Sequence, residues 1–233
     1  RSQLFLMHPI GGGVMCYSGL ARQLAADQPM FGLQAPGYDD DETPLTSIEE
    51  LAVRYASAIQ QQQPHGPYLL GGWSFGGAVA FATAQRLLAR GERMGLVALL
   101  DVYPLGDPDG FAPRSDLQLL QLFLDDLAAQ SGKRPGELLP DGLPADGAFE
   151  RLTAEARRSG ILPRELTAEQ LQRLLAVFRA NRTAARAYAA APLAAPLLLL
   201  RAEGSAYARP GLPDGGWHAV ARGGWSMQTL PGD

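Results

Sequence analysis

Between Tyr68 and Leu87 the chain reads YLLGGWSFGGAVAFATAQRL. An apolar run breaks on glycines around one serine and resumes with helical periodicity. Gly72-Trp73-Ser74-Phe75-Gly76 fits G-x-S-x-G. On a strand-to-helix corner this pattern restricts the fold more than any other feature of the sequence. The serine takes a strained backbone, and the residues two away must be nearly without side chains. The hydroxyl then stands at the C-terminal edge of a sheet. The helix behind it brings partial positive charge and a backbone N–H to where an oxyanion forms. Ser74 is therefore the candidate nucleophile; the plainer reading is a glycine-rich turn with an idle serine. A phosphate-cradling loop does not fit. No Gly-Lys-Ser/Thr ending follows, and G-x-G-x-x-G matches neither glycine cluster.

The rest of the chain supplies a scaffold for such a corner. Apolar runs at Gln3–Met7, Met30–Gln34, Tyr68–Gly72, Met94–Asp101 and Leu197–Arg201 predict strands, with a last one at Ser226–Leu230. Unbroken apolar runs suit strands buried on both faces, hence a parallel sheet. Helices are expected from about Tyr17 to Asp27, from the Ser47 cap to about Gln63, and over Gly76–Arg90 with Gly91 as C-cap. A short one is expected near Gly216–Arg222. Strands alternating with helices give the α/β class. From about Pro113 to Pro192 only helical periodicity is present, over Asp116–Ala129, Phe149–Arg158 and Thr167–Ala189. The expected organisation is one domain over 1–233, with a core at about 1–112 and 193–233 and an all-helical insertion at about 113–192.

Composition narrows the function classes. The 233 residues carry a formal charge of −4, so there is no basic field for nucleic acid. A single cysteine, Cys16, excludes a disulfide framework and suits a reducing cytoplasm. Nothing near Cys16 would lower its pKa, so it reads as a buried small apolar residue. No apolar run approaches the ~20 residues that span a membrane. The chain opens without Met at a strand and stops at Asp233, so it reads as a monomeric domain cut from something longer.

Two further features surround the serine. Asp101 ends the strand after Ser74, 27 residues on, where an acid that orients a histidine belongs. Asp39, Asp40 and Asp41 are weaker candidates in a polar loop, and no histidine or spaced carboxylate joins them into a metal set. The loop His8-Pro9-Ile10-Gly11-Gly12 follows the first strand, where the second half of an oxyanion hole is expected. The backbone N–H groups of Ile10 and Phe75 are the expected donors.

Taken together, the segments HPIGGG, PMFGLQAPG, SIEELAVRYASAIQQQQPHGPYLLGGWSFGGAVAFATAQ, LLDVYP and PLLLLRAEGS resemble the type I thioesterase domains of nonribosomal peptide synthetases and polyketide synthases. The resemblance covers essentially the whole chain. It implies an α/β-hydrolase fold in which the helical insertion is a lid. It also implies an upstream carrier domain that presents an acyl or peptidyl thioester on 4'-phosphopantetheine, with no cofactor or metal bound to the domain itself. Ser74 would form an acyl-enzyme, released by hydrolysis or macrocyclisation. Trp73 and Phe75 favour the module-terminating class over the editing class, which usually has His and Met there. A stand-alone esterase or lipase, and a non-catalytic binding module, are the competing readings.

The general base is the open point. His8 lies in the oxyanion loop, His65 precedes the strand leading to Ser74, and His218 precedes the last strand. None is in place for a base that should follow that last strand. The resemblance puts the catalytic histidine directly after Asp233, beyond the sequence.

Overall fold

The computed structural model describes residues 3–24, 28–102, 115–130, 147–205 and 211–232. Six strands form one sheet: β1 Leu4–Met7, β2 Met30–Leu33, β3 Tyr68–Trp73, β4 Met94–Leu100, β5 Leu197–Ala202 and β6 Trp225–Leu230. Their order is β2-β1-β3-β4-β5-β6, and every pairing among them is parallel. Parallel neighbours require crossovers, and three helices lie in the first three of them: α1 Ser18–Gln23, α2 Ile48–Gln62 and α3 Phe75–Ala89. Between β4 and β5 in the chain lie α4 Asp116–Gln130, α5 Ala148–Arg158 and α6 Ala168–Ala187. The boundary expected near 112/113 lies outside the described residues. None of the described helices is long and apolar enough to cross a membrane.

Helix α3 shows why the sequence builds this layer. It buries every residue from Phe75 to Ala84, because small alanines and glycines let it lie close against β1, β3 and β4. Gly91, at φ 81°, ends it as expected. At α2, Ser47 accepts from the Glu50 N–H at 3.3 Å and donates its hydroxyl to Glu49 at 2.8 Å. A full capping box forms at α6, between Thr167 and Gln170. In the insertion, Leu119, Leu120 and Phe123 of α4 meet Leu171, Leu175 and Phe178 of α6 in one buried cluster, with the Phe123 and Phe178 rings edge-on at 5.5 Å.

Register aligns the C-terminal edge of the sheet. Met7 pairs with Gly72, Trp73 with Leu100, and Leu100 with Leu200. The next residues, His8, Ser74, Asp101 and Arg201, therefore stand along one edge. There the backbones of β1 and β3 splay, and a side chain takes the place of the ladder. Tyr17 donates its hydroxyl to the Met7 carbonyl at 2.6 Å and accepts from the Trp73 N–H at 2.8 Å. Burial pushes this phenol far up, so it stays a donor throughout the working range.

Tyr17→Phe removes one partner from two buried backbone groups. It is expected to destabilise the domain by about 2 kcal/mol, read as a lowered urea midpoint with an unchanged m-value. An unchanged midpoint would show that water or a backbone shift replaces the bridge.

Candidate active site

Ser74 sits where β3 becomes α3, with φ 53° and ψ −122°, and is 7% exposed. For a residue with a side chain this conformation costs of order 1–3 kcal/mol. The surroundings compel it. The Ser74 N–H donates to the Leu100 carbonyl at 2.9 Å, extending the β3–β4 ladder by one bond, while its own carbonyl already accepts from Gly77 at 3.0 Å. A methyl group on Gly72 would lie 2.2 Å from the Gly76 carbonyl, and one on Gly76 would lie 2.3 Å from the Met7 oxygen. Both glycines are forced by backbone contact, so strand, helix and the end of β1 meet without intervening side chains.

The loop after β1 backs directly onto this corner. Pro9 to Gly12 form a turn closed by the Gly12 N–H to the Pro9 carbonyl at 2.9 Å. His8 is completely buried and bonds the same carbonyl through Nδ1 at 2.8 Å. A carbonyl can only accept, so Nδ1 carries a proton. Its Nε2 has no protein partner among the described residues, and the ring packs against Phe75 and Tyr55. Burial outweighs the hydrogen bond and pushes the imidazole down to about 4. His8 therefore holds the turn from inside the core.

Asp101, at φ 42°, follows β4 and donates its N–H to the Leu200 carbonyl at 2.7 Å. Sequence reading missed its partner. Arg201, 6% exposed, donates through Nη1 to Asp101 Oδ1 at 3.2 Å, to the Val102 carbonyl at 2.9 Å and to Ser205 Oγ at 3.4 Å. An arginine at the end of an otherwise apolar strand run was the signal that could have revealed it. Beyond β6 the edge continues: Glu203 donates to the Leu230 carbonyl at 2.9 Å and Gly204 to the Gly232 carbonyl at 2.8 Å. The backbone past Leu230 thus runs beside the segment that carries Ser205. Asp233 lies outside the described residues, and so does the base expected after it.

The other histidines stand elsewhere. His218 bonds Asp214 at 2.6 Å and packs on Trp225, which opens β6 opposite Leu197 at the far edge of the sheet. His65 is exposed and meets Glu92 at 3.5 Å, before β3. Cys16 contradicts its expectation of burial: it is exposed on a 3-10 turn, Met15–Tyr17. Burial of the thiol sulfur's surroundings still pushes its pKa up to about 11, so it remains a poor nucleophile.

A cavity of about 490 Å³ opens over the ends of β1 and β2, within the range of small-molecule sites. Pro9, Gly11 and Gly13 form one wall, while Phe123, Leu127 and Leu174 face them from the insertion. The described residues lining it do not include Ser74. Asp126 of α4 accepts from Gln130 at 2.7 Å and faces Gly11. Burial pushes its carboxyl up to about 6.

A family model described as "Thioesterase domain" matches residues 2–233. Malpinin synthetase of Mortierella alpina is 46% identical over 101 residues, 43% of this chain and 1% of that protein. A dimodular nonribosomal peptide synthase of Bacillus subtilis (strain 168) is 37% identical over 160 residues, 69% of this chain and 6% of its own length. The chain thus spans a small fraction of the curated relatives it matches. Among solved structures, the four-domain nonribosomal peptide synthetase holo-AB3403 superposes with a TM-score of 0.88 at 30% identity, covering 100% of this chain and 18% of that one. The Vlm2 thioesterase domain shares the fold, with a TM-score of 0.72 at 24% identity over 100% of this chain and 86% of that one.

Two outcomes follow from the buried groups. His8 has its folded pKa depressed from 6.5 to about 4. Its stabilising contribution is complete above about 6.5 and is lost as pH falls toward 4, about 3 kcal/mol in all. Asp126, with a raised pKa, acts with the opposite sign over the lower part of this window. The check is therefore the difference in stability between wild type and His8→Asn, which should shrink between pH 6.5 and 4. Arg201→Met leaves the Asp101 carboxylate beside an apolar side chain and is expected to cost about 3 kcal/mol in a urea titration. A neutral result would mean that Asp101 does not need the arginine.

Proposed function

Because the chain belongs to the thioesterase domain family, we propose that it discharges an acyl or peptidyl chain from the 4'-phosphopantetheine arm of a carrier domain in a nonribosomal peptide or polyketide assembly line. The observation that carries this reading is the contact between the elbow and the turn after β1: Gly76 lies against the Met7 and His8 carbonyls. That contact sets the turn after β1, which carries Ile10, against the start of α3, which carries Phe75. The synthetase relatives supply the substrate class.

In this mechanism Ser74 Oγ attacks the thioester carbonyl and its proton passes to the base. The negative charge that builds on oxygen is met by the N–H groups of Ile10 and Phe75. The C–S bond breaks, the phosphopantetheine thiolate takes the proton, and an ester on Ser74 remains. Water, or an amine or hydroxyl of the bound chain, then attacks that ester and releases acid or macrocycle. Asp101 orients the base, with Arg201 on Oδ1 leaving Oδ2 for the imidazole. The base itself is the histidine expected after Asp233. Backbone hydrogen bonds from Glu203 and Gly204 support this, because they run the chain past Leu230 along the edge that holds Asp101. The helices of the insertion serve as the lid. Phe123, Leu127 and Leu174 then line an acyl chamber with the turn.

A stand-alone esterase would use the same groups, and the leaving group separates the two. With the natural full-length chain, an acyl-pantetheine thioester should turn over faster than the oxoester of the same acyl group. A fluorophosphonate should label Ser74, and Ser74→Ala should lower turnover by about three orders of magnitude or more. A preference for the oxoester would favour the esterase. Absence of labelling at Ser74 would favour a binding module.

A further inference from the structure

We propose that Asn181, on helix α6 of the insertion, is a positioning residue for the oxyanion turn. This rests on the reading above, in which the Ile10 N–H is one of the two oxyanion donors. Asn181 is 2% exposed and donates through Nδ2 to the Ile10 carbonyl at 2.9 Å, across 171 residues of sequence. Its buried neighbours on α6 are Val177, Phe178, Ala180, Ala184 and Ala185, with Arg182 the one charged side chain among them. A buried amide among apolar side chains costs free energy unless it is hydrogen-bonded. Packing alone would be served by leucine, so the amide is there for the carbonyl.

The consequence lies in the geometry of two peptide planes. The N–H of Ile10 belongs to the Pro9–Ile10 peptide, whose carbonyl is held by both Gly12 and His8 Nδ1. In a trans peptide the C=O and N–H point in opposite directions. Two donors that hold the Pro9 oxygen inward therefore aim the Ile10 N–H outward. The following plane, Ile10–Gly11, is held by Asn181. The φ and ψ of Ile10 are the two rotations that relate these planes, so the two clamps together leave Ile10 no free torsion. Gly11 and Gly12 come next, and glycines offer little resistance to a peptide flip. Without Asn181 the second plane would be free to turn into that slack.

Helix α6 also touches the turn one helical turn earlier. A methyl group on Gly12 would lie 2.6 Å from Val177 Cγ1, and Gly12 sits at φ +91°. Val177 and Asn181 are at i and i+4, on one face of the helix. The oxyanion turn is thus gripped by the core through His8 and by the insertion through Val177 and Asn181. Seating of the insertion and alignment of the Ile10 N–H become one event, so the donor is in place only when α6 is.

The test compares wild type, Asn181→Leu and Asn181→Asp in the natural full-length chain, with an acyl-pantetheine thioester as substrate. Leucine keeps the volume and removes the donor. Aspartate keeps the shape and presents an acceptor to the Ile10 carbonyl. Turnover (kcat) is expected to fall by about 10- to 100-fold with KM changed less than twofold, because the loss is confined to the state in which the oxyanion exists. The affinity of a boronic acid that mimics the tetrahedral intermediate should fall in parallel. Wild-type kcat and boronate affinity in folded variants would overturn the proposal. So would a loss confined to KM. Should Asn181→Leu fail to fold, Asn181→Ser shortens the donor beyond reach with little change in packing, and the same readouts apply. Wild type and Ser74→Ala measured alongside separate the two levels. An inactive wild type, or an active Ser74→Ala, removes the functional reading itself, whereas normal behaviour of both with wild-type-like Asn181 variants removes only the positioning role.

Discussion

The close approach of Gly76 to the carbonyls of Met7 and His8 is the constraint on which the rest of the structure depends. A single methyl group at Gly76 or Gly72 would meet backbone within about 2.3 Å. Because nothing intervenes, α3 starts directly against the end of β1, and the turn after β1 lies against the start of α3. Strain at Ser74 and the seating of the turn after β1 against α3 are therefore two results of one contact. The same contact explains the glycines that open α3 at positions 76 and 77, where the helix meets backbone directly.

A second pattern lies along the C-terminal edge. A parallel sheet ends in unpaired backbone groups, and here buried side chains answer them. Tyr17 serves Met7 and Trp73, His8 serves Pro9, Asn181 serves Ile10, and Arg201 serves Val102 together with Asp101. Each is a polar group inside an apolar shell, costly if left unpaired and rigid once paired. The opposite edge pairs the exposed His65 with Glu92 and the exposed His218 with the buried Asp214.

Much of the scaffold was legible in the sequence. Strand and helix positions agree to within one or two residues at β3, α4 and α5, because apolar run length and helical spacing report burial directly. At α1 the helix stops at Gln23, and its expected continuation through Asp27 crosses residues outside the described set. The parallel order of the sheet was expected from unbroken apolar runs. The elbow was read from five letters, because its glycines are demanded by local backbone contact. The burial of His8 and the exposure of Cys16 were not legible. Neither depends on its own neighbours in sequence; both depend on which way a glycine-rich loop turns once α3 and α6 press on it. Arg201 and Asn181 were missed for a related reason. Their partners are 100 and 171 residues away, and no local periodicity marks a polar residue that serves a distant carbonyl.

The sequence by itself determined the α/β scaffold, the corner that carries Ser74, and the order of strands along which Asp101 follows it. These rest on short-range physics: turn sterics, helical and strand spacing, and the length of apolar runs. Only the tertiary structure decided which buried donors hold that edge. It set His8 as a neutral clamp, placed Arg201 on Asp101, and joined the insertion to the Ile10 turn through Asn181. Those assignments require two distant segments to arrive at one hydrogen-bond length, and that distance is set by the packing of the whole domain.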